Sequence, residues 1–312
     1  MVTKPPGESY KGELPPMTAQ EQQLARDLRK HVDVLARDIG ERNLRKPDAL
    51  KDAADYITRV LKDHGYDVRA HAYPVHGQTV KNLEATIVGS AKRDEIVIVG
   101  AHYDTVTNCP GANDNGTGVA SVLEMARAFR DAEPQRTIRF VLFVNEEPPY
   151  FQTAQMGSVV YARACKARGD KIVAMISMET IGYYSDEKGS QHYPPPFDRF
   201  FPGTGNFIGF ASDPQSKQLL FDVVGSFRRH TRFPSEGIAT SPDIPGIGWS
   251  DHWSFWQVGY PALMVTDTAP FRYKHYHEPT DTPEKIDYDR TARVVAGMTR
   301  VVAELSGAKI DR

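Results

Sequence analysis

Five side chains able to bind a metal recur along the chain in the order His102, Asp114, Glu147, Glu179 and His277. They sit in the strings AHYDT, GANDNGTG, VNEEPP, SMETIG and HYHEPTDT. One Asp, two Glu and two His make a mixed nitrogen and oxygen donor set. Such a set suits Zn²⁺, and less exclusively Mn²⁺ or Co²⁺. If the five converge, the Asp114 carboxylate is able to bridge two metals, and metal-assisted hydrolysis becomes the leading chemistry.

Each position has a local logic of its own. His102 and Asp104 are two apart on extended chain, so both side chains point the same way. A carboxylate at 104 is then expected to accept the second imidazole N–H of His102 and fix its tautomer. Asp114 lies in a glycine-rich string that lets the backbone turn sharply into a helix, where an Asx turn or helix cap is the plainer role. Glu146 and Glu147 end an apolar run. Adjacent side chains diverge there, so one carboxylate is able to bind metal while the other stays free as a base. Two carboxylates at the end of a core strand are unfavourable unless paired or metal-bound. Glu179 follows an apolar run, and His277 has competitors in His275 and His252.

These residues need a scaffold, and the pattern around them supplies one. Thr18 followed by Glu21 predicts a capping box, and Leu24, Leu28, Val32 and Leu35 give the helix behind it an apolar stripe. A second helix is expected after Pro47-Asp48, burying Ala53, Ala54, Ile57, Val60 and Leu61 and ending at Gly65. Residues 66–75 and 80–89, separated by HGQT, read as a hairpin. Apolar runs at 95–101, 137–144, 172–178, 206–211 and 262–266 read as strands, the first central and covered on both faces. Helices are expected at 116–130, 157–167, 214–230 and 283–306. This alternation predicts an α/β fold, a three-layer α/β/α sandwich with a mixed, largely parallel central sheet. Sites in such folds form beyond the carboxyl ends of the strands, where these candidate ligands fall. The division expected is an N-terminal arm over residues 1–17 and a single catalytic domain over 18–312. Residues 189–206, rich in Pro, Gly and aromatics, read as a long loop that either packs on the surface or borders the pocket.

The chain has 312 residues, 40% hydrophobic and 25% charged, with a net charge of −2. That is an ordinary globular composition with no electrostatic case for nucleic acid or an anionic membrane. No apolar run approaches the ~20 residues that span a bilayer. The N-terminal stretch lacks the apolar centre of a signal peptide, so an exported form needs a leader ahead of it, and compartment and oligomeric state stay open. Cys109 and Cys165 do not make a disulfide framework and are read as reduced thiols rather than ligands.

Taken together, the ligand order with GANDNGTG, the Glu-Glu pair and YHEPTDTPEKID resembles the M28 family of zinc aminopeptidases over roughly residues 45–300. The resemblance implies that His102 and Glu179 hold one zinc and that Glu147 and His277 hold a second, with Asp114 bridging. It implies that Glu146 is the general base, taking a proton from water and passing it to the leaving amine of a peptide substrate. Tyr276 then matches the family tyrosine that steadies the tetrahedral intermediate. A cis peptide is implied after the bridging residue, at Asp114–Asn115. The chain departs from the family where Glu179 replaces the usual Asp, which leaves one or two zinc ions and the reading of a free amine open. It departs again where Pro-Pro-Tyr-Phe follows the Glu pair. Ser250-Asp251-His252 resembles a pocket-side motif that either shapes substrate or makes a structural hydrogen bond.

Three other functions fit parts of the pattern. A glutaminyl-cyclase-like acyltransferase shares the fold and much of the ligand set with one zinc; that group often has Trp before the final His, where this chain has Tyr276. The M20 carboxypeptidase and deacylase group inserts a lid domain before the last His, and the stretch from Glu179 to His277 reads as core elements instead. A non-catalytic binding module on the same fold loses ligands or the base, whereas every position here keeps a coordinating or titratable side chain.

Overall fold

The computed structural model describes residues 3–310. The Thr18 hydroxyl accepts the Glu21 N–H while the Glu21 carboxylate accepts the Thr18 N–H, a reciprocal cap that starts helix α1, Ala19–Val32. The helix runs on as a π-helical turn, Asp33–Ile39. Helix α2, Pro47–Asp63, has Pro at its first turn and buries Ala53, Ala54, Ile57 and Leu61, with Val60 only partly covered. Strands β1 (Val68–Val75) and β2 (Gln78–Ile87) form the expected hairpin. Its turn is shorter than the HGQT spacer: His76 (φ 48°) and Gly77 (φ 80°) both take the left-handed region, the primed geometry that matches strand twist.

The remaining strands are β3 (Lys92–His102), β4 (Arg136–Phe143), β5 (Lys171–Glu179), β6 (Ile208–Ser212), β7 (Ser235–Ala239) and β8 (Ala262–Thr266). All eight lie in one sheet in the order β1-β2-β4-β3-β5-β8-β6-β7. The central run β4-β3-β5-β8 is parallel. The hairpin joins β4 antiparallel at one side, and β6 joins β8 antiparallel at the other. The helices between are α3 (Gly118–Phe129), α4 (Gly157–Arg168), α5 (Lys217–His230), α6 (His252–Trp256) and α7 (Tyr288–Ser306). Both faces of the sheet are covered. Val97, Val99 and Ala101 of β3 pack into the larger core with α1, α2, α3, α5 and α7. Ile96 and Ile98 point the other way, toward Tyr161 and Ala162 of α4 and Phe255 of α6. This is the three-layer sandwich read from the alternation of elements. No helix among the described residues is long and apolar enough to cross a membrane.

Several details differ from the sequence reading. Strand β7 and helix α6 were not anticipated; each has five residues, too short for a periodicity to register. The helix expected from residue 116 is preceded by a kinked stretch, Ala112–Thr117, in which Asp114 (φ −109°, ψ 94°) and Asn115 (φ −125°, ψ 44°) are not helical, and α3 follows it. His102 and Glu179 are the last residues of β3 and β5 rather than the first residues beyond them. The N-terminal arm, of which residues 1–2 lie outside the described part, runs along β7. Thr3 exchanges both backbone hydrogen bonds with Ala239, at 3.1 and 2.9 Å.

Candidate metal centre

Parallel pairing of β3 with β5 and β4 brings three strand ends to one edge of the sheet. His102 and Glu179 arrive as final strand residues, and Glu146-Glu147 follows the end of β4. Asp114 comes from the kinked stretch before α3, and His277 from the loop after β8. The backbone is unusual beside these positions. Asn145, Thr180 and His277 have left-handed φ of 58°, 42° and 60°, and the Asp114–Asn115 peptide is cis. Left-handed backbone outside glycine is unfavourable by about 1–3 kcal/mol per residue and persists where the surroundings over-determine it.

The two carboxylate oxygens of Asp114 face different partners. Oδ1 lies 3.2 Å from His102 Nε2, which is 3.3 Å from Glu179 Oε2. Oδ2 lies 3.1 Å from His277 Nε2, which is 3.3 Å from Glu147 Oε2. Tetrahedral zinc, with bonds of about 2.0–2.1 Å, sets its donor atoms about 3.3 Å apart. The separations above are of that size, and Glu179 reaches His102 despite its extra methylene. His277 Nε2 and Glu147 Oε1 are buried yet lack a partner of hydrogen-bond geometry, as expected of atoms shaped for a metal. His102, Asp114 and Glu147 also offer donor atoms all within 4.8 Å of one another.

A set of buried groups holds these side chains. Asp281 Oδ1 accepts the N–H of Asn113 at 2.9 Å and the Tyr273 hydroxyl at 2.7 Å, and Oδ2 accepts the N–H of Asp114 at 3.1 Å. The Ser250 hydroxyl donates to Glu179 Oε2 at 2.7 Å, so this member of the Ser-Asp-His string makes a structural hydrogen bond. Asn115 caps α3 through Oδ1 to the Gly118 N–H at 3.1 Å, leaving Asp114 out of the capping role considered for it. Asp104 departs from expectation. Its carboxylate accepts the N–H groups of Glu146 and Glu147 at 3.1 and 3.2 Å and stays 3.7 Å from His102 Nδ1, which faces the Asp104 backbone carbonyl at 3.2 Å instead. The fully buried Arg42 donates to the carbonyls of Tyr103, Leu35, Gly40, Pro110 and Gly111, bracing the loop that leads to Asp114. Sequence reasoning gave no role to Asp281 or Arg42. Asp281 had a signal, since it lies inside YHEPTDTPEKID; Arg42 had none.

Glu146 is buried 3.8 Å from His102 Nε2. Burial pushes its carboxyl well above the usual range against the pull of His102, with Glu147 and Glu179 adding to the rise. Burial opposes a charge on His102, but Glu179, Glu146, Asp104 and Asp114 outweigh it and raise the pKa of the imidazole. Tyr276 stacks on the His277 ring, with centroids 3.9 Å apart. Glu179 and Tyr276 line an apolar cavity together with Tyr193, Phe197, Phe201, Trp249 and Phe271. The 189–206 loop thus borders a pocket. Cys109 and Cys165 are buried free thiols outside the ligand set.

The model of peptidase family M28 matches residues 82–302. The chain is 35% identical over 280 residues to YfbL, an uncharacterized protein of Escherichia coli strain K12, covering 87% of this chain and 85% of that one. It is 29% identical over 218 residues to aminopeptidase YwaD of Bacillus subtilis strain 168, covering 68% of this chain but 42% of YwaD. A probable leucine aminopeptidase of Trichophyton verrucosum is likewise matched over 52% of its length, so the chain spans about half of these named aminopeptidases. The fold is that of the zinc aminopeptidase BSAP from Bacillus subtilis, with TM-score 0.73, 15% identity, and coverage of 90% and 95%. Fimbriiglobus ruber glutaminyl cyclase shares it too, with TM-score 0.65, 20% identity, and coverage of 94% and 97%.

Proposed function

On the premise that the chain belongs to peptidase family M28, we propose that it is a zinc-dependent aminopeptidase with two metal positions on either side of Asp114. The observation that carries this reading is the split of the Asp114 carboxylate, Oδ1 toward His102 and Oδ2 toward His277, at 3.2 and 3.1 Å. His102, Asp114 and Glu179 would hold one ion, and His277, Asp114 and Glu147 the other. When bound, zinc supplies Lewis acidity that polarises a peptide carbonyl and lowers the pKa of water toward ~7.

The remaining chemistry belongs to side chains. Glu146 takes a proton from the attacking water and delivers it to the departing amine. The Tyr276 hydroxyl donates to the oxyanion that develops on the carbonyl oxygen. Asp104 positions Glu146 and Glu147 through their backbone N–H groups. The aromatic cavity next to Glu179 and Tyr276 takes an apolar leading side chain of the substrate.

The test combines zinc counting with two substrates. Purified chain is expected to carry close to two zinc per molecule when saturated, to release 4-nitroaniline from leucine 4-nitroanilide, and to leave a peptide beginning with Gln uncyclised. Cyclisation of that peptide by a chain with one zinc and no amide hydrolysis would replace this reading with an acyltransferase.

A further inference from the structure

The N-terminal arm is stitched to the free edge of the sheet. Besides the two hydrogen bonds between Thr3 and Ala239, the Arg228 guanidinium donates to the carbonyls of Pro6 and Gly7 at 3.0 and 2.8 Å. The Ser235 N–H donates to the Ser9 hydroxyl at 2.8 Å. Pro5 is buried against Gly237, where a β-carbon would come within 2.7 Å of the proline ring, so the edge strand needs glycine to seat the arm.

Between Thr3 and Pro5, Lys4 reaches the 189–206 loop. Its ammonium donates to the Phe200 carbonyl and sits 4.2 Å from the centre of the Phe201 ring. Phe201 in turn packs on Tyr193 and Phe197, at centroid separations of 5.7 and 6.4 Å. These three rings line the same cavity as Glu179 and Tyr276. The tip of the loop, residues 193–202, otherwise bonds to itself: Phe197 to Pro194, Arg199 to Pro196, Phe200 and Phe201 to Phe197, and the Tyr193 hydroxyl to Pro202. Among the described residues, Lys4 makes the one hydrogen bond to this tip from elsewhere in the chain.

We propose that the arm is a strap that fixes the aromatic wall of the cavity, with Lys4 as a positioning residue for binding substrates that lead with a bulky apolar side chain. The proposal rests on the aminopeptidase reading for its substrate and on geometry for the strap. The strap would then bear on substrates whose leading side chain fills the cavity, setting selectivity rather than the bond-breaking step.

The zinc-loaded full chain is compared with Lys4→Gln and with a variant lacking residues 1–8. Phenylalanine and alanine 4-nitroanilides are the substrates, and hydrogen exchange is followed at the amides of 197–201. In Lys4→Gln, the Phe-to-Ala ratio of kcat/KM is expected to fall about threefold, the change lying in KM for the Phe substrate, and exchange at 197–201 to quicken. The deletion extends both effects; if it does not fold, Lys4→Gln carries the test alone. An unchanged ratio, or unchanged exchange at 197–201, overturns the strap. If the parent chain cleaves neither substrate, the aminopeptidase reading has failed, and the exchange measurement still decides whether Lys4 holds the wall.

Discussion

Asp281 holds Asp114 by its backbone: Oδ2 of Asp281 accepts the Asp114 N–H at 3.1 Å, while Oδ1 takes the N–H of Asn113 and the Tyr273 hydroxyl. The residue that faces both histidines is thus oriented by a carboxylate 167 positions away in sequence. Replacing Asp281 with Asn puts an amide N–H against one of these backbone N–H groups. Asp281→Asn is expected to lower kcat/KM and zinc affinity by about 10–100-fold, the usual effect of removing a partner behind a metal ligand. Competition with a chelator of known affinity measures it, and affinity equal to the parent chain's would remove Asp281 from the account.

Ser250 donates to the oxygen of Glu179 that faces His102. Ser250→Ala leaves that oxygen with His102 Nε2 at 3.3 Å and a long contact from the Asn115 amide at 3.4 Å. Zinc titration of this variant is expected to show one equivalent about tenfold weaker and the other at its original strength. Equal weakening of both equivalents would mean that Asp114 does not divide the site in two.

Arg42 satisfies five backbone carbonyls with no carboxylate among its hydrogen-bond partners. Burial lowers its pKa to about 10, still high enough to keep the charge at neutral pH. Arg42→Met fills the volume but strands those carbonyls. A loss of about 3–5 kcal/mol in folding stability is expected from denaturant unfolding. A variant within 1 kcal/mol of the parent (about fivefold in the folding equilibrium) would show that water replaces the guanidinium.

Glu84 on β2 is the acid-sensitive point of the hairpin. Burial raises its pKa, but hydrogen bonds from His71, Tyr161 and Thr86 and the charge of Arg139 outweigh it and hold the carboxyl at about 2. A carboxyl depressed in the folded state stabilises above its unfolded pKa of about 4.3 and loses that contribution as pH falls through the folded value. Thermal melting of the parent chain is expected to fall between pH 4.5 and about 2, and Glu84→Gln to flatten part of that fall while lowering Tm at neutral pH. An identical acid limb in both proteins would assign the sensitivity elsewhere.

The order of elements was legible because the central strands are continuous apolar runs and the helices carry clean stripes; β3 turns Val97 and Val99 to one core and Ile96 and Ile98 to the other. The ligand candidates were legible because strand ends put them at one edge. Their support was not. Ser250 reaches Glu179 across 71 residues, and Arg42 reaches Gly111 across 69, through contacts that leave no periodicity. Asp104 was misread in one respect: alternation along an extended chain gives the side of the strand, but not that two backbone N–H groups after β4 would compete for its carboxylate. Strand β7 escaped notice because it is short, polar at Ser235 and Glu236, and interrupted by Gly237, which the arm requires.

The central claim is that Glu146 moves the proton while its neighbours hold zinc. It is tested most directly by comparing leucine 4-nitroanilide turnover by the parent chain and by Glu146→Gln, each at the same measured zinc content. A fall in kcat of at least about 10²–10⁴-fold is expected, with no loss of metal. Turnover by Glu146→Gln equal to that of the parent, with zinc retained, would contradict it.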